Sequence, residues 1–197
     1  MKPTILLIGD SICMGYRPLV QQYLIDKVHI LGIPENGGDS ANLLRNIDEW
    51  MINPEADLLH INCGLHDLKF FRDTRTYQQS CDIYANNLRT IIKKLQGAKK
   101  QVVWATTTPV IDERHNAIKE FNRYEKDVER YNSTAYEIML DAGIIINDLH
   151  SVIMNNDIGT CLMPDGVHMT THGNQLLARA VSDFMLKYFN IELNNNN

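Results

Sequence analysis

The sequence predicts an α/β fold. It reads as a three-layer α/β/α sandwich around a five-stranded parallel sheet, doubly wound and flavodoxin-like. Three observations predict it. Short runs rich in Ile, Leu and Val alternate along the chain with longer amphipathic segments. The runs lack strict polar–apolar alternation, as expected of strands covered on both faces. Strands alternating with helices imply right-handed βαβ units and therefore a parallel sheet.

The elements follow in order. The first strand is read at Thr4–Ile8 and closes on Gly9, with a helix over Gly15–Ile25. The second, Val28–Ile33, runs out through Pro34-Glu35-Asn36-Gly37-Gly38-Asp39-Ser40 into a helix over Ser40–Trp50. The third, Asp57–Asn62, ends in Cys63-Gly64-Leu65-His66-Asp67, and a helix is predicted over Tyr77–Gln96. The fourth, Gln101–Thr106, ends in Thr106-Thr107-Thr108-Pro109 and precedes a helix over Ile118–Asp141. The fifth is Gly143–Asn147. In the last helix, Thr171–Phe189, residues Leu177, Val181, Phe184, Met185 and Tyr188 recur at three- and four-residue steps, giving one apolar face. One domain is expected over 1–190, with a disordered tail over 191–197 that ends in the low-complexity run Asn194–Asn197.

Composition narrows the function. The 197 residues suit one domain, large enough to fold without disulfide or metal staples. Net charge is −5 with no run of Lys or Arg, which argues against a nucleic-acid groove or an anionic membrane surface as partner. No stretch approaches the ~20 apolar residues of a membrane helix, and Met1–Gly9 does not read as a signal peptide. The four cysteines (Cys13, Cys63, Cys81, Cys161) contain no Cys-x-x-Cys pair and are expected to be reduced thiols. Those at 13 and 63 flank the strand ends and are read as buried. The compartment expected is the cytoplasm, so the sequon Asn132-Ser133-Thr134 is read as chance. Oligomeric state is left open.

In a doubly wound sheet, ligands bind beyond the carboxyl ends of the strands. Glycines and polar residues converge there, though turns are built from the same residue types. Gly-Asp-Ser occurs twice, at Gly9–Ser11 and Gly38–Ser40. Ser11 directly follows a strand and precedes a helix, near that helix's positive end. Ser40 reads as a helix N-cap. A serine nucleophile needs a base, and the base needs an orienter. Asp-x-x-His occurs four times: Asp26/His29, Asp57/His60, Asp112/His115 and Asp165/His168. The first two bracket or occupy strands and read as structural. The third and fourth sit in irregular segments, and spacing leaves both open.

These residues resemble the SGNH, or GDSL-type, hydrolase family. Gly9-Asp10-Ser11 resembles its first block, Gly38 its second-block glycine, Gly64-Leu65-His66-Asp67 its third and Asp165-Gly166-Val167-His168 its last. The resemblance implies an SGNH hydrolase fold with Ser11 as nucleophile, His168 as base and Asp165 as orienter. It implies an oxyanion hole from the backbone N–H groups of Ser11 and Gly38, with Asp10 and Asp67 beside the substrate. It implies no metal and no organic cofactor. One position departs from the family pattern: His66 stands where the third block carries asparagine. An imidazole can donate an N–H there, or it can simply pack. The Gly-x-Ser-x-Gly elbow of α/β-hydrolases is absent, because Ile12 and Cys13 follow Ser11.

The expected activity is a serine esterase acting on a small-molecule ester, acetyl in preference to long acyl chains. No long apolar insertion is present to form a lid. The loops Lys69–Thr76 and Asp112–Asn116 carry Arg72, Asp73, Arg75, Glu113, Arg114 and His115. Such charge suits a polar substrate such as an O-acetylated carbohydrate, or an ordinary solvated loop. Phe70 and Phe71 read as pocket lining or as core. The competing reading is a non-catalytic binding module that holds an anion at a helix N-terminus. Lysophospholipase or thioesterase activity is a further alternative within the family.

Overall fold

A computed structural model describes residues 1–191 of the chain. The tail expected over 191–197 lies outside the described residues except for Ile191, whose N–H donates to Leu186 O at 2.8 Å.

The chain opens with β1 (Thr4–Ile8), α1 (Ser11–Tyr23) and β2 (His29–Gly32). It continues with α2 (Ser40–Arg45), a wider helical turn over Asp48–Ile52, and β3 (Leu58–Ile61). Two short strands follow, β4 (Phe70–Phe71) and β5 (Thr76–Tyr77), then α3 (Cys81–Gly97) and β6 (Val102–Ala105). Next come α4 (Asp112–Ile118), β7 (Phe121–Asn122), α5 (Glu125–Asp141) and β8 (Ile145–Asn147). The helices α6 (Leu149–Met154), α7 (Ile158–Cys161) and α8 (Thr171–Tyr188) close the chain.

The predicted five-stranded parallel sheet is present, in the order β2-β1-β3-β6-β8. Its register places Leu6 opposite Leu31 on one side and Leu59 on the other. Ile5, Leu7, Ile8, Leu58, Leu59 and Ile61 are all sealed from solvent, which explains the unbroken apolar runs. The helices pack as two groups, α1 with α8 and α2 with α3 and α5, with the sheet between them. Strand order reverses at β1, so the ends of β1 and β3 form the crevice where such sheets bind ligands. Among the described residues, no helix is long and apolar enough to cross a membrane.

Several boundaries move, each for a local reason. The first helix begins at Ser11 rather than Gly15, because Asp10 caps it by accepting Ile12 N–H at 2.9 Å. Ser40 is not an N-cap: Asp39 takes that role, accepting Asn42 N–H at 2.8 Å, and Ser40 is the first helical residue. A second sheet, β5-β4-β7, was not predicted. Its two-residue strands are too short to show any periodicity. It delays α3 to Cys81 and splits the predicted Ile118–Asp141 helix, so that α5 starts at Glu125. It also claims Phe70 and Phe71, which stack edge-on against Tyr77 and Phe121. The expected loop Asp112–Asn116 is helical, as part of α4.

Candidate active site

At the end of β1 the chain turns through Gly9 and Asp10 and enters α1. Ser11 therefore stands in the first turn of α1, whose amide N–H groups have no partner within the helix. Ser11 Oγ lies 3.0 Å from His168 Nε2. His168 Nδ1 lies 2.5 Å from Asp165 Oδ2. The second carboxylate oxygen of Asp165 accepts the backbone N–H groups of Val167 at 3.1 Å and His168 at 3.0 Å. Burial alone would raise the Asp165 pKa, but the His168 hydrogen bond and these two amides hold it below the usual value. The turn carrying them is tied down at both ends. Met163 N–H donates to His168 O at 2.7 Å, and Ile111 N–H to Gly166 O at 2.8 Å. Serine, imidazole and carboxylate thus form one continuous hydrogen-bonded chain from two distant segments.

The other three Asp-x-x-His pairs are not joined. Asp26 and His29 lie exposed before and at the start of β2. Asp57 Oδ2 accepts Thr4 N–H at 2.7 Å, whereas His60 is fully buried with Nε2 3.2 Å from the Asn147 side-chain amide. Asp112 Oδ1 accepts Glu125 N–H at 2.7 Å, and His115 is buried against the Phe121 ring, centroids 5.4 Å apart. Burial pushes the pKa of both His60 and His115 down to about 4.

Two loops face the end of β1. Gly38 lies after β2 with φ +64°, a left-handed conformation that glycine adopts without strain. Its N–H donates to Asn36 Oδ1 at 2.9 Å. Gly64 follows β3 with φ +145°, and a Cβ there would collide with Thr107 Oγ1. That turn presents Leu65 and His66. The His66 pKa is pushed down to about 4, first by burial and then by the charges of Lys69 and Arg123. The ring is therefore neutral at neutral pH, and a neutral imidazole still has one N–H to donate.

The sequence profile of the GDSL-like Lipase/Acylhydrolase family matches residues 7–176. The chain belongs to this family. It is an ester hydrolase of the GDSL type. Its architecture is shared with a lipase/acylhydrolase from Enterococcus faecalis at TM-score 0.81 and 18% identity, covering 95% of this chain and 97% of that one. An acetyl xylan esterase superposes at TM-score 0.76 and 20% identity, over 92% of this chain and 98% of that one. A mutant acetyl-xylooligosaccharide esterase from Geobacillus Stearmophilus does so at TM-score 0.73 and 17% identity, over 99% and 97%. No curated protein sequence matches significantly.

Within this hydrolase, the two expected substrate-side aspartates are turned inward. Asp10 is 1% exposed, with Oδ1 on the α1 cap, and burial raises its pKa. Asp67 is fully buried and receives Ser40 N–H at 3.0 and 3.1 Å and Ser40 Oγ–H at 2.5 Å. Burial outweighs those bonds and pushes its pKa up to about 7. Asn62, one residue past β3, donates its amide to Ala105 O at 2.9 Å and so braces two strand ends. Cys13 and Cys63 are buried, and burial pushes the Cys13 thiol up to about 12, so these sulfurs are packing groups. Among the described residues, no three His, Cys, Asp or Glu side chains cluster to hold a metal ion.

Sequence reasoning missed Arg123, just beyond β7. It is buried, and its Nε donates at 2.7 Å to the carbonyl of Leu65, the residue before His66. Nothing in its local pattern marks it, because the segment reads as helix. Only the pairing of β7 with β4 carries it to the loop after β3.

Proposed function

We propose that this hydrolase cleaves short-chain acyl esters, acetyl esters foremost, by acyl transfer through Ser11. The observation that carries the reading is the chain Ser11–His168–Asp165, bonded at 3.0 and 2.5 Å at the start of α1. His168 Nε2 takes the Ser11 proton as Oγ attacks the ester carbonyl. Asp165 holds the imidazole in the tautomer with the proton on Nδ1 and stabilises the imidazolium that forms. The carbonyl oxygen becomes negative and receives the N–H groups of Ser11, Gly38 and His66. At Gly38 it shares or displaces Asn36 Oδ1, which accepts the same N–H at 2.9 Å. His168 then returns its proton to the departing alkoxide. Water enters, gives a proton to His168 and hydrolyses the acyl-enzyme.

The acetyl preference is supported by two fold neighbours, both named for acetylated xylan or xylooligosaccharides. An O-acetylated carbohydrate is the substrate class they favour. The proposed compartment is the cytoplasm, supported by four cysteines that are all free thiols.

The test is a p-nitrophenyl ester series from acetyl to dodecanoyl, with His168→Ala and fluorophosphonate labelling alongside. The expected result is a rate maximum at acetyl, a loss of about 10³-fold or more in His168→Ala, and stoichiometric labelling of Ser11. A maximum at eight carbons or longer points to the lysophospholipase or thioesterase alternative. Full activity of His168→Ala, or labelling elsewhere, overturns the mechanism.

A further inference from the structure

We infer that the cleft beside Ser11 contains an anion subsite, built from Arg123 and Lys69, that receives a carboxylate carried by the substrate ester. The inference deepens the hydrolase reading above and rests on it. Phe121 of β7 contacts both cations: Lys69 Nζ is 5.2 Å from its ring centroid and the Arg123 guanidinium carbon 5.1 Å. The ring supports both charges by cation–π attraction. Neither cation has a carboxylate within salt-bridge distance among the described residues.

Arg123 is only 6% exposed, and its Nε is committed to Leu65 O at 2.7 Å. Its two Nη nitrogens have no acceptor in the protein among the described residues, yet neither is sealed from solvent. They reach open space at one edge of an otherwise buried side chain. Lys69 belongs to the same loop as His66, and its N–H donates to His66 O at 3.4 Å. Leu65, which accepts the Arg123 Nε–H, lines one cavity with Asp10 and Ile12, the residues on either side of Ser11, so the guanidinium sits close to the turn that carries Ser11. Its charge is felt at His66, at Asp10 and at Asp165. The charge of Lys69 likewise acts on His66.

Burying a charge is costly unless a partner compensates it. Arg123 is buried and Lys69 half-buried against one aromatic ring, in a chain of net charge −5. Aspartate charges act on both from a distance, but no carboxylate forms an ion pair with either among the described residues. An anion from outside the chain would supply the direct ion pair that no carboxylate among the described residues makes. A planar guanidinium offering two free nitrogens matches the two oxygens of a carboxylate. A carboxylate on the acyl part and one on the alcohol part would both satisfy this chemistry, and the assay separates them.

The experiment compares charged and neutral esters in pairs. Mono-4-nitrophenyl succinate is set against 4-nitrophenyl butyrate for the acyl side, and 4-acetoxybenzoate against its methyl ester for the alcohol side. The expected result is that one carboxylate ester exceeds its neutral partner in kcat/KM by about tenfold or more, and that salt erodes the preference. In Lys69→Gln and Arg123→Lys that ratio falls by about fivefold or more. Lys69→Gln keeps the Arg123–Leu65 contact, so it tests the site even where a change at Arg123 disturbs the loop. Calorimetry with sodium succinate adds a readout free of turnover, with binding weakened several-fold in Lys69→Gln. Absence of any charge preference, or equal ratios in wild type and both variants together with equal succinate binding, overturns the subsite. Equal losses on charged and neutral esters also overturn it, because the cations would then serve the oxyanion. Failure of the hydrolase reading looks different: no ester is cleaved, while succinate binds in a Lys69-dependent way.

Discussion

Gly-Asp-Ser is written twice in this chain, and both copies open a helix with the aspartate as its cap. The local chemistry is nearly identical. Asp10 accepts Ile12 N–H at 2.9 Å, and Asp39 accepts Asn42 N–H at 2.8 Å. The two serines nevertheless meet opposite surroundings. Ser11 is part-exposed and faces an imidazole at 3.0 Å. Ser40 is fully buried, donates to Asp67 at 2.5 Å and accepts from the Asn87 amide at 2.9 Å. The Ser40 hydroxyl is held between a buried acid and an amide, whereas the Ser11 hydroxyl has an imidazole nitrogen within hydrogen-bond distance. The difference lies in what stands across from each turn, not in the tripeptide.

The largest effect that could break this contrast comes from the serines themselves. Ser11→Ala should lower ester hydrolysis by about 10⁴-fold or more with little change in stability. Ser40→Ala should keep hydrolysis within about tenfold yet lower the unfolding free energy by about 1–3 kcal/mol, by removing a donor from a buried acid. Parallel p-nitrophenyl acetate assays and urea titrations of both variants decide. Loss of turnover in Ser40→Ala at unchanged stability would make the second turn part of the chemistry.

Next in size is His66. Its alanine variant should lose about 10–10³-fold in kcat with KM little changed, because the donor matters most in the transition state. His66→Gln, which keeps an N–H donor, should recover part of the rate. Equal rates for wild type and His66→Ala would reduce this imidazole to a packing group.

The smallest effect sharpens the buried side of the comparison. The Asp67 pKa stands near 7 in the fold, above its ordinary 3.8. The fold therefore favours the neutral acid. This contribution is fully present below about 3.8 and is lost as pH rises through about 7. His60 and His115 act with the opposite sign. Their pKa falls from 6.5 to about 4, so their contribution is present above 6.5 and lost as pH falls through 4. Asp67→Asn removes only the first effect. Its urea midpoint should gain on wild type from pH 4 to pH 8, and a constant difference across that range would refute the assignment.

Much of the fold was legible because its signal is local. All five strands of the main sheet were placed from runs such as Ile5–Ile8 and Leu58–Ile61, whose burial on both faces leaves an unbroken apolar string. Helix starts were less legible: α1 begins at Ser11 rather than Gly15 because Asp10 caps it, and Asp39 rather than Ser40 caps α2. The small sheet was invisible: Phe70–Phe71 and Phe121–Asn122 pair across fifty residues, and two residues carry no period.

The sequence by itself therefore determined the parallel sheet, the strand ends where a site belongs and the order of the blocks that mark this family. Its spacing also narrowed four Asp-x-x-His pairs to two. Only the tertiary structure decided which residues meet. It joined Asp165 and His168 to Ser11, left Asp112 on Glu125 N–H, turned Asp10 and Asp67 inward, and carried Arg123 to Leu65 and Lys69. The physical reason is range. Periodicity and caps act over a few residues of backbone, whereas a serine–imidazole–carboxylate chain or a pair of cations on one ring depends on side chains that only long-range pairing brings together.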